Sequence, residues 1–317
     1  MEKKTAKPEN NKSKVCEIPL TKKELKDLLN YRIPCLCCGQ EMLHPDIYTK
    51  LMEMPELSGT ALQAISVLEP YEKIMHPVEK QVFNMFKSMA VKYPDKDFKE
   101  LLQMKKDIHE LALVKIQSVI FNKISFYRRI LPKKMARQIR KLMINTNDII
   151  YDPAPHKPFS RRIFIHKLKN IIKNLESKKI KEEILEIARR LPRSSDEVCA
   201  FVVKNARKRS QVIALNLIHP SVGTFEHLMP KCMKGMSNSL NFALECSYSN
   251  NSRPHYPISV QIEENPYMPQ NAQIQADKLI SLCKKGLCNK EYIINLKDTL
   301  HKLSDEIICL DISRLDV

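Results

Sequence analysis

From residue 60 to residue 209 the chain contains no glycine, and the whole 317-residue sequence has only 5. Glycine supplies the positive-φ turns that sheet-rich folds need at close intervals. A stretch this long without it is left mainly with helices joined at prolines and polar turns. The apolar spacing agrees. After Pro94, residues 95–122 set Phe98, Leu101, Leu102, Ile108, Leu111 and Ala112 on one face, with a gap at Lys105. Residues 77–92 open with a proline at a helix start. The series continues at 132–145, 160–175 and 178–190, where Ile184, Leu185, Ile187, Ala188 and Leu191 keep helical spacing. Ser194-Ser195-Asp196-Glu197 reads as a capping box for a helix over 194–208, and a further helix from Ser210 stops at His219-Pro220. Pro153, Pro155 and Pro158 make an extended connector. No fixed-period repeat is evident. Before this region come a short helix at 21–31, capped by Thr21 with Glu24 three residues on, and another at 46–58. Between them IPCLCCGQEM reads as a tight turn. Beyond Pro269 the chain returns to helix at 270–284 and 289–307.

Hydrophobic residues make up 43%, enough for a sizeable core in one large or two ordinary domains. No run of 18 apolar residues occurs, so no membrane span is expected. Residues 1–14 are polar, lack the apolar centre of an export signal and read as a disordered tail. The ten cysteines then belong in a reducing cytoplasm, free or metal-bound. The net charge of +17 is concentrated. Residues 121–181 hold 17 Lys/Arg and 3 Asp/Glu, which is +14 of the total. Such a segment favours a polyanionic partner, because phosphate neutralisation releases counterions whatever the sequence. A membrane surface fits less well, since no bulky aromatic face accompanies the charge.

The helical pattern breaks between Gly223 and Arg253, GTFEHLMPKCMKGMSNSLNFALECSYSNNSR. Residues 222–230 and 237–244 read as two short strands around a Lys-Cys-Met-Lys-Gly turn, and 245–253 as the start of a helix. Phosphodiester hydrolysis needs three things together. A base must take a proton from water near neutral pH, which the imidazole of His227 suits. A hard divalent cation must stabilise the charge on phosphorus and on the departing oxygen; Glu226 and Asn250 offer oxygen ligands. The base must be held in place, which an amide such as Asn241 can do.

Thr224-Phe-Glu226-His227-Leu-Met-Pro230, Lys231 and Gly235 in the turn, Asn238-Ser-Leu-Asn241, Cys246-Ser-Tyr-Ser249-Asn250 and Arg253 follow one another in family order. In this the segment resembles the HNH endonucleases, the ββα-metal nucleases. The resemblance covers about thirty residues. It implies that Glu226 is the first metal ligand and His227 the general base. It also implies that Asn241 braces the base, that Asn250 is the helix-borne ligand and that Arg253 contacts a phosphate. The cation would be Mg²⁺ or Mn²⁺. Many members also carry two Cys-x-x-Cys pairs around a structural zinc. Here Cys35 and Cys38 match the upstream pair and Cys246 the first downstream position, but Ser249 stands where the fourth cysteine would be. Serine is a poor zinc ligand. Cys37, Cys232 or His44 could substitute, or the cysteines could pack as small apolar groups. The pairing also implies that residues near 35 and 246 meet in space.

These readings give an α+β chain, a mostly helical body with a small ββα-metal core. The expected organisation is a polar tail (1–20), an N-terminal part of the core with the Cys-x-x-Cys turn (21–59), and a helical insertion (60–209) that is basic over 121–209. The ββα core (210–260) and C-terminal helices (261–317) follow. The expected function is metal-dependent cleavage of nucleic acid, with DNA favoured over RNA. Arg128, Arg129, Lys133, Lys134, Arg137, Arg161 and Arg162 would hold the polyanion. Two other classes remain: a nucleic-acid-binding module that keeps the fold without the chemistry, and an interaction protein whose helical body recruits a partner.

Overall fold

The computed structural model describes residues 20–151, 161–192, 197–231, 234–235, 237, 239–252 and 258–315. Within these the chain is α+β, largely helical, with one antiparallel sheet of two strands. The helices are α1 (Lys22–Leu28), α2 (Pro45–Met52), α3 (Ala61–Leu68), α4 (Pro77–Lys92), α5 (Phe98–Tyr127), α6 (Lys133–Tyr151) and α7 (Arg161–Ile172). They continue with α8 (Lys178–Arg189), α9 (Val198–Asn205), α10 (Ser210–Ile218), α11 (Ser247–Ser252), α12 (Ile258–Glu264), α13 (Met268–Cys283) and α14 (Lys290–Leu303). The strands β1 (Gly223–His227) and β2 (Phe242–Cys246) lie between α10 and α11. No helix among the described residues is long and apolar enough to cross a membrane. The polar tail, the proline connector, the 194–196 part of the capping box, Cys232 and Arg253 lie outside the described residues.

The chain divides into two compact units, one made of residues up to His44 and from Gly223 on, the other of Pro45–Val222. The first unit is therefore assembled from two distant pieces of sequence. Its exit and return are adjacent, since the Gly223 N–H donates to Leu43 O at 2.8 Å. Its core gathers Leu25 and Leu28 of α1, Leu29 of the 3-10 turn after it, Ile33 and Leu36 of the cysteine turn, Phe242 and Leu244 of β2, and Leu279, Ile293 and Leu296 of α13 and α14. Gly223 is fixed by that packing: a Cβ there would sit 2.7 Å from a methyl of Leu29.

Local signals start several helices. Thr21 and Glu24 form the reciprocal cap of α1, Thr60 and Gln63 that of α3, and Asp97 and Glu100 that of α5. Helix α5 runs to Tyr127, five residues past the expected end at 122. Ile124 extends the buried face of Ile120 and Phe121, and no helix breaker occurs before Pro132. In the second unit Phe86 stacks on Phe98 at 4.0 Å. A second cluster packs Ile120, Phe121 and Ile124 against Ile139, Phe164, Leu168 and Ile184, joining α5 to α6, α7 and α8.

Several boundaries differ from those expected. The strands are shorter: Leu228–Pro230 leave β1 for the loop, and β2 begins only after a 3-10 turn over Ser239–Asn241. Glu245 and Cys246, expected in a helix, are the last residues of β2 because Leu244 and Cys246 supply its core face. The helix expected over 46–58 ends at Met52, with Pro55 opening a separate 3-10 turn. Helix α12 was not anticipated.

Gln275, fully buried on α13, links the two pieces of the first unit by donating from Nε2 to Pro34 O (2.7 Å) and Leu244 O (2.9 Å). Gln275→Met keeps the length and removes both bonds. It should lower stability by about 1–3 kcal/mol, read as a lower denaturant midpoint at unchanged slope.

Candidate functional site

Strands β1 and β2 pair antiparallel, with Thr224 opposite Glu245, Glu226 opposite Ala243 and His227 opposite Phe242. Side chains alternate between faces. Phe225 and His227 therefore share the face of Phe242 and Leu244, while Thr224 and Glu226 share the other with Ala243 and Glu245. The ring of His227 meets Phe242 edge-on at 4.7 Å, and its Nε2 is 3.2 Å from Ser237 Oγ in the loop.

The loop between the strands is closed at its base by Asn241. Its Oδ1 accepts from Met229 N–H (2.7 Å) and its Nδ2 donates to Met229 O (2.9 Å). Leu228 N–H donates to Asn241 O at 2.9 Å. Asn241 thus grips the backbone two residues beyond His227, and any bracing of the imidazole through this contact passes along the chain. Gly235 N–H reaches Pro230 O at 3.1 Å, and a Cβ on Gly235 would lie 1.8 Å from Met229 O and 2.8 Å from Asn241 Nδ2. Glycine is demanded here by close approach of backbone to backbone.

Helix α11 follows β2 without a linker. Asn250 on it donates from Nδ2 to Thr224 Oγ1 at 3.0 Å, and that hydroxyl donates to Glu245 O at 2.9 Å. Asn250 is therefore turned toward β1, on the face that carries Glu226. Glu245, which sequence reading passed over, is fully buried on that same face. The available signal was a carboxylate inside the apolar run FALEC, at a position set apart from Leu244 and Cys246 by alternation.

Sequence reading brought Cys35, Cys38 and Cys246 together, and so does the structure. Their sulfurs lie within 4.8 Å of one another, and among the described residues they are the His/Cys/Asp/Glu group that could hold a metal ion. Neither Cys37 nor His44 belongs to it. Cys38 Sγ is 3.6 Å from Cys246 Sγ, and Ser249 Oγ takes the remaining corner, 3.4 Å from both Cys35 Sγ and Cys246 Sγ. A tetrahedral ion with arms of roughly 2.1–2.3 Å requires corners roughly 3.6–3.8 Å apart. The three corner distances of 3.4–3.6 Å are close to those of a tetrahedral metal centre, and the three sulfurs could hold an ion.

Backbone contacts build this corner. Cys246 N–H donates to Cys35 Sγ (3.3 Å) and Ser249 N–H to Cys246 Sγ (3.5 Å). The turn that carries Cys35 and Cys38 is closed by Cys35 N–H on Gln40 O (2.8 Å) and by Gly39 at φ +72°. Asn265 and Asn271 both donate to Cys37 O, at 2.7 and 2.8 Å. The thiol of Cys37 is directed to Asn265 Nδ2, 3.6 Å away. Burial, then the charge of Glu245, pushes it up to about 12. Within the triad, hydrogen bonds from Cys246 and Cys35 hold Cys38 well below the usual thiol range. Cys246 is raised by those to Cys35 and Cys38, and Cys35 is raised mainly by burial. The three thiols therefore differ in acidity, with Cys38 the most acidic of them.

In the second unit Arg129, Lys133, Lys134 and Arg137 are exposed and Arg128 is half-buried. Arg161 is occupied structurally: its guanidinium donates to Arg189 O and Leu191 O at the end of α8. The side chain of Arg162 lies outside the described residues. Comparison of the chain with family models, with curated proteins and with solved structures gave no match.

Gly235→Ala must push Met229 O or Asn241 out of place and open the base of the loop. The expected result is faster backbone hydrogen exchange at Leu228, Met229 and Gly235's replacement, with the helices of the second unit unchanged.

Proposed function

We propose that residues 223–253 form the core of a metal-dependent nucleic-acid endonuclease of HNH type, and that Cys35, Cys38, Cys246 and Ser249 hold a structural zinc. One arrangement carries this reading. A histidine ends the first strand, an asparagine clamps the loop before the second strand, and a helix starting at the thiol corner turns Asn250 onto the face of Glu226. The strand–loop–strand–helix order and the residue types agree with the resemblance that the sequence carries.

In this reading His227, the last residue of β1 and on the face opposite Glu226, reaches the phosphate past the end of the strand and takes a proton from water at Nε2, the nitrogen facing the Ser237 hydroxyl. The water oxygen bonds to phosphorus as the bond to the 3′ oxygen breaks, and a proton returns to that oxygen. The products are a 5′-phosphate and a 3′-hydroxyl. Side-chain oxygens of Glu226 and Asn250 would hold Mg²⁺ or Mn²⁺, which supplies charge stabilisation to the phosphoryl group and the leaving oxygen. Glu226 contributes a hard carboxylate ligand. Asn241 and Gly235 keep the loop from moving His227, and Arg253 contacts a phosphate. The exposed cations of the 121–181 segment would supply affinity independent of base sequence.

Three measurements test this. Supercoiled plasmid mixed with the chain and Mg²⁺ or Mn²⁺ should be nicked. His227→Ala should slow nicking by about 10²-fold or more, as expected for loss of a general base; undiminished nicking would remove His227 from that role. Titration with Co²⁺ should give one thiolate-to-metal charge-transfer band per chain. That band should vanish in Cys246→Ala and strengthen, with tighter binding, in Ser249→Cys. Chelation should lower the melting temperature of the loaded protein, because an ion at a hundred times its Kd adds about 2.7 kcal/mol to the folded state.

A further inference from the structure

Phe126 and Ile130 are exposed to 65% and 58%, four residues apart where α5 turns into α6. The corner that presents them is anchored from inside. Tyr127 donates from its hydroxyl to Glu183 Oε2 at 2.9 Å, and Leu131 is buried in the cluster of α5 to α8. Arg129 N–H and Ile130 N–H close the turn on Phe126 O (3.3 Å) and Tyr127 O (3.0 Å). With Tyr127 and Leu131 held inward, this turn leaves Phe126 and Ile130 projecting.

Glu183 and Glu186 of α8 lie near Tyr127, but the α5–α6 segment itself is cationic. Between Glu110 and Asp148 the sequence has nine Lys/Arg and no Asp/Glu. On α6, Lys133, Lys134, Arg137, Arg140 and Lys141 are exposed, opposite the buried Ile139, Leu142 and Met143. From Lys133 to Lys141 this ridge is roughly 12 Å long, and a B-form strand presents three or four phosphates over about that length. The first turn of α6 also lacks an acidic residue, so the helix dipole adds to its positive field.

A lipid surface would reward apolar side chains along the cationic face of α6. Between residues 133 and 141 that outward face has none, and the exposed Ile144 lies about 5 Å beyond Lys141. The exposed Val119, Leu111 and Ile108 stand about 10 Å or more back along α5 from Phe126. A local apolar pair set into a cationic ridge matches a different ligand, a nucleic-acid duplex whose bases can be parted by a side chain while its phosphates are held alongside. We infer that Phe126 and Ile130 form a wedge that unstacks a base step of a duplex held by Arg129, Lys133, Lys134 and Arg137. The inference rests on the nucleic-acid reading above and specifies the substrate as a duplex that is deformed on binding.

The test uses the full chain carrying His227→Ala, a short duplex with a fluorescent adenine analogue at an internal step, and anisotropy for affinity. The analogue should brighten severalfold at saturation. Phe126→Ala with Ile130→Ala should abolish that rise and weaken binding about tenfold. The dependence of affinity on salt and the melting temperature should stay unchanged. Lys133→Gln with Lys134→Gln should instead reduce the salt slope by about two. A rise that survives the Phe126/Ile130 double variant overturns the wedge. So does absence of duplex binding, or capture by phosphatidylserine vesicles that depends on Phe126 while unstacking does not. The two readings fail separately. Plasmid nicking without Phe126-dependent unstacking overturns the wedge alone, and unstacking by a His227 chain that never nicks overturns the nuclease alone.

Discussion

The contact between the cysteine turn and the end of β2 is the constraint on which the first unit depends. Cys35 and Cys246 are 211 positions apart, yet the Cys246 N–H points at the Cys35 sulfur. Leu36 N–H binds Leu244 O at 3.1 Å, and Gln275 adds its bridge from α13. Closing so long an interval is less costly than it looks. Loop entropy grows only logarithmically, at about 0.6 kcal/mol per doubling of length. The interval here is also a unit with its own core, and it leaves and returns at a hydrogen-bonded pair, Leu43 and Gly223. The short-range geometry of the thiol corner therefore tolerates a long insertion.

That corner also fixes what lies on either side of it. Cys246 is the last residue of β2, the strand whose first residue, Phe242, touches the ring of His227. Ser249 lies in the first turn of α11, and the next residue is Asn250. Strand and helix are thus gripped at their junction. A helix of six residues has little stability of its own. Its orientation must come from anchors at its start and from Asn250 on Thr224 of β1, while Asn251 Nδ2 on Ser247 Oγ at 3.0 Å steadies the helix internally. The tetrahedral spacing of four side chains and the placement of Asn250 are two consequences of the same junction.

Signals confined to a few residues could be read from the sequence. The caps at Thr21 and Asp97 each satisfy helix N–H groups within three residues, so a four-residue pattern specifies them. The cysteine turn and the glycine at its end were legible for the same reason. The meeting of Cys35, Cys38 and Cys246 came from the resemblance to the HNH endonucleases, whose cysteine pairs they match in part. Strand limits were less legible, because register is settled by partners far away in sequence. Leu228 has the apolar character of a strand residue, but its N–H is taken by Asn241 O in the loop, and it is buried there instead. Glu245 was hidden because it was read as the first residue of a helix, where a carboxylate is ordinarily solvent-exposed, rather than as part of β2. Arg161 shows the converse. A cation in a basic run reads as a polyanion contact, yet carbonyls left at the end of α8 claim it.

Serine in place of a fourth cysteine changes what the corner can do. A neutral hydroxyl brings no charge, whereas a thiolate brings one, so three thiolates and a hydroxyl around a divalent cation carry one negative charge less than four thiolates. Such a centre has less charge to shelter in the buried interior, where Cys35 and Cys246 are inaccessible to water. The hydroxyl is also a weaker and more exchangeable ligand than sulfur. Burial and ligand strength thus oppose one another: the first favours serine, the second cysteine. The protein side is prepared for the weaker set. Ser249 accepts from two thiols and gives its N–H to Cys246 Sγ, so its oxygen faces the sulfurs it would join around an ion. A metal bound here would tie the cysteine turn to the junction of β2 and α11, so its binding energy would add to the stability of the first unit.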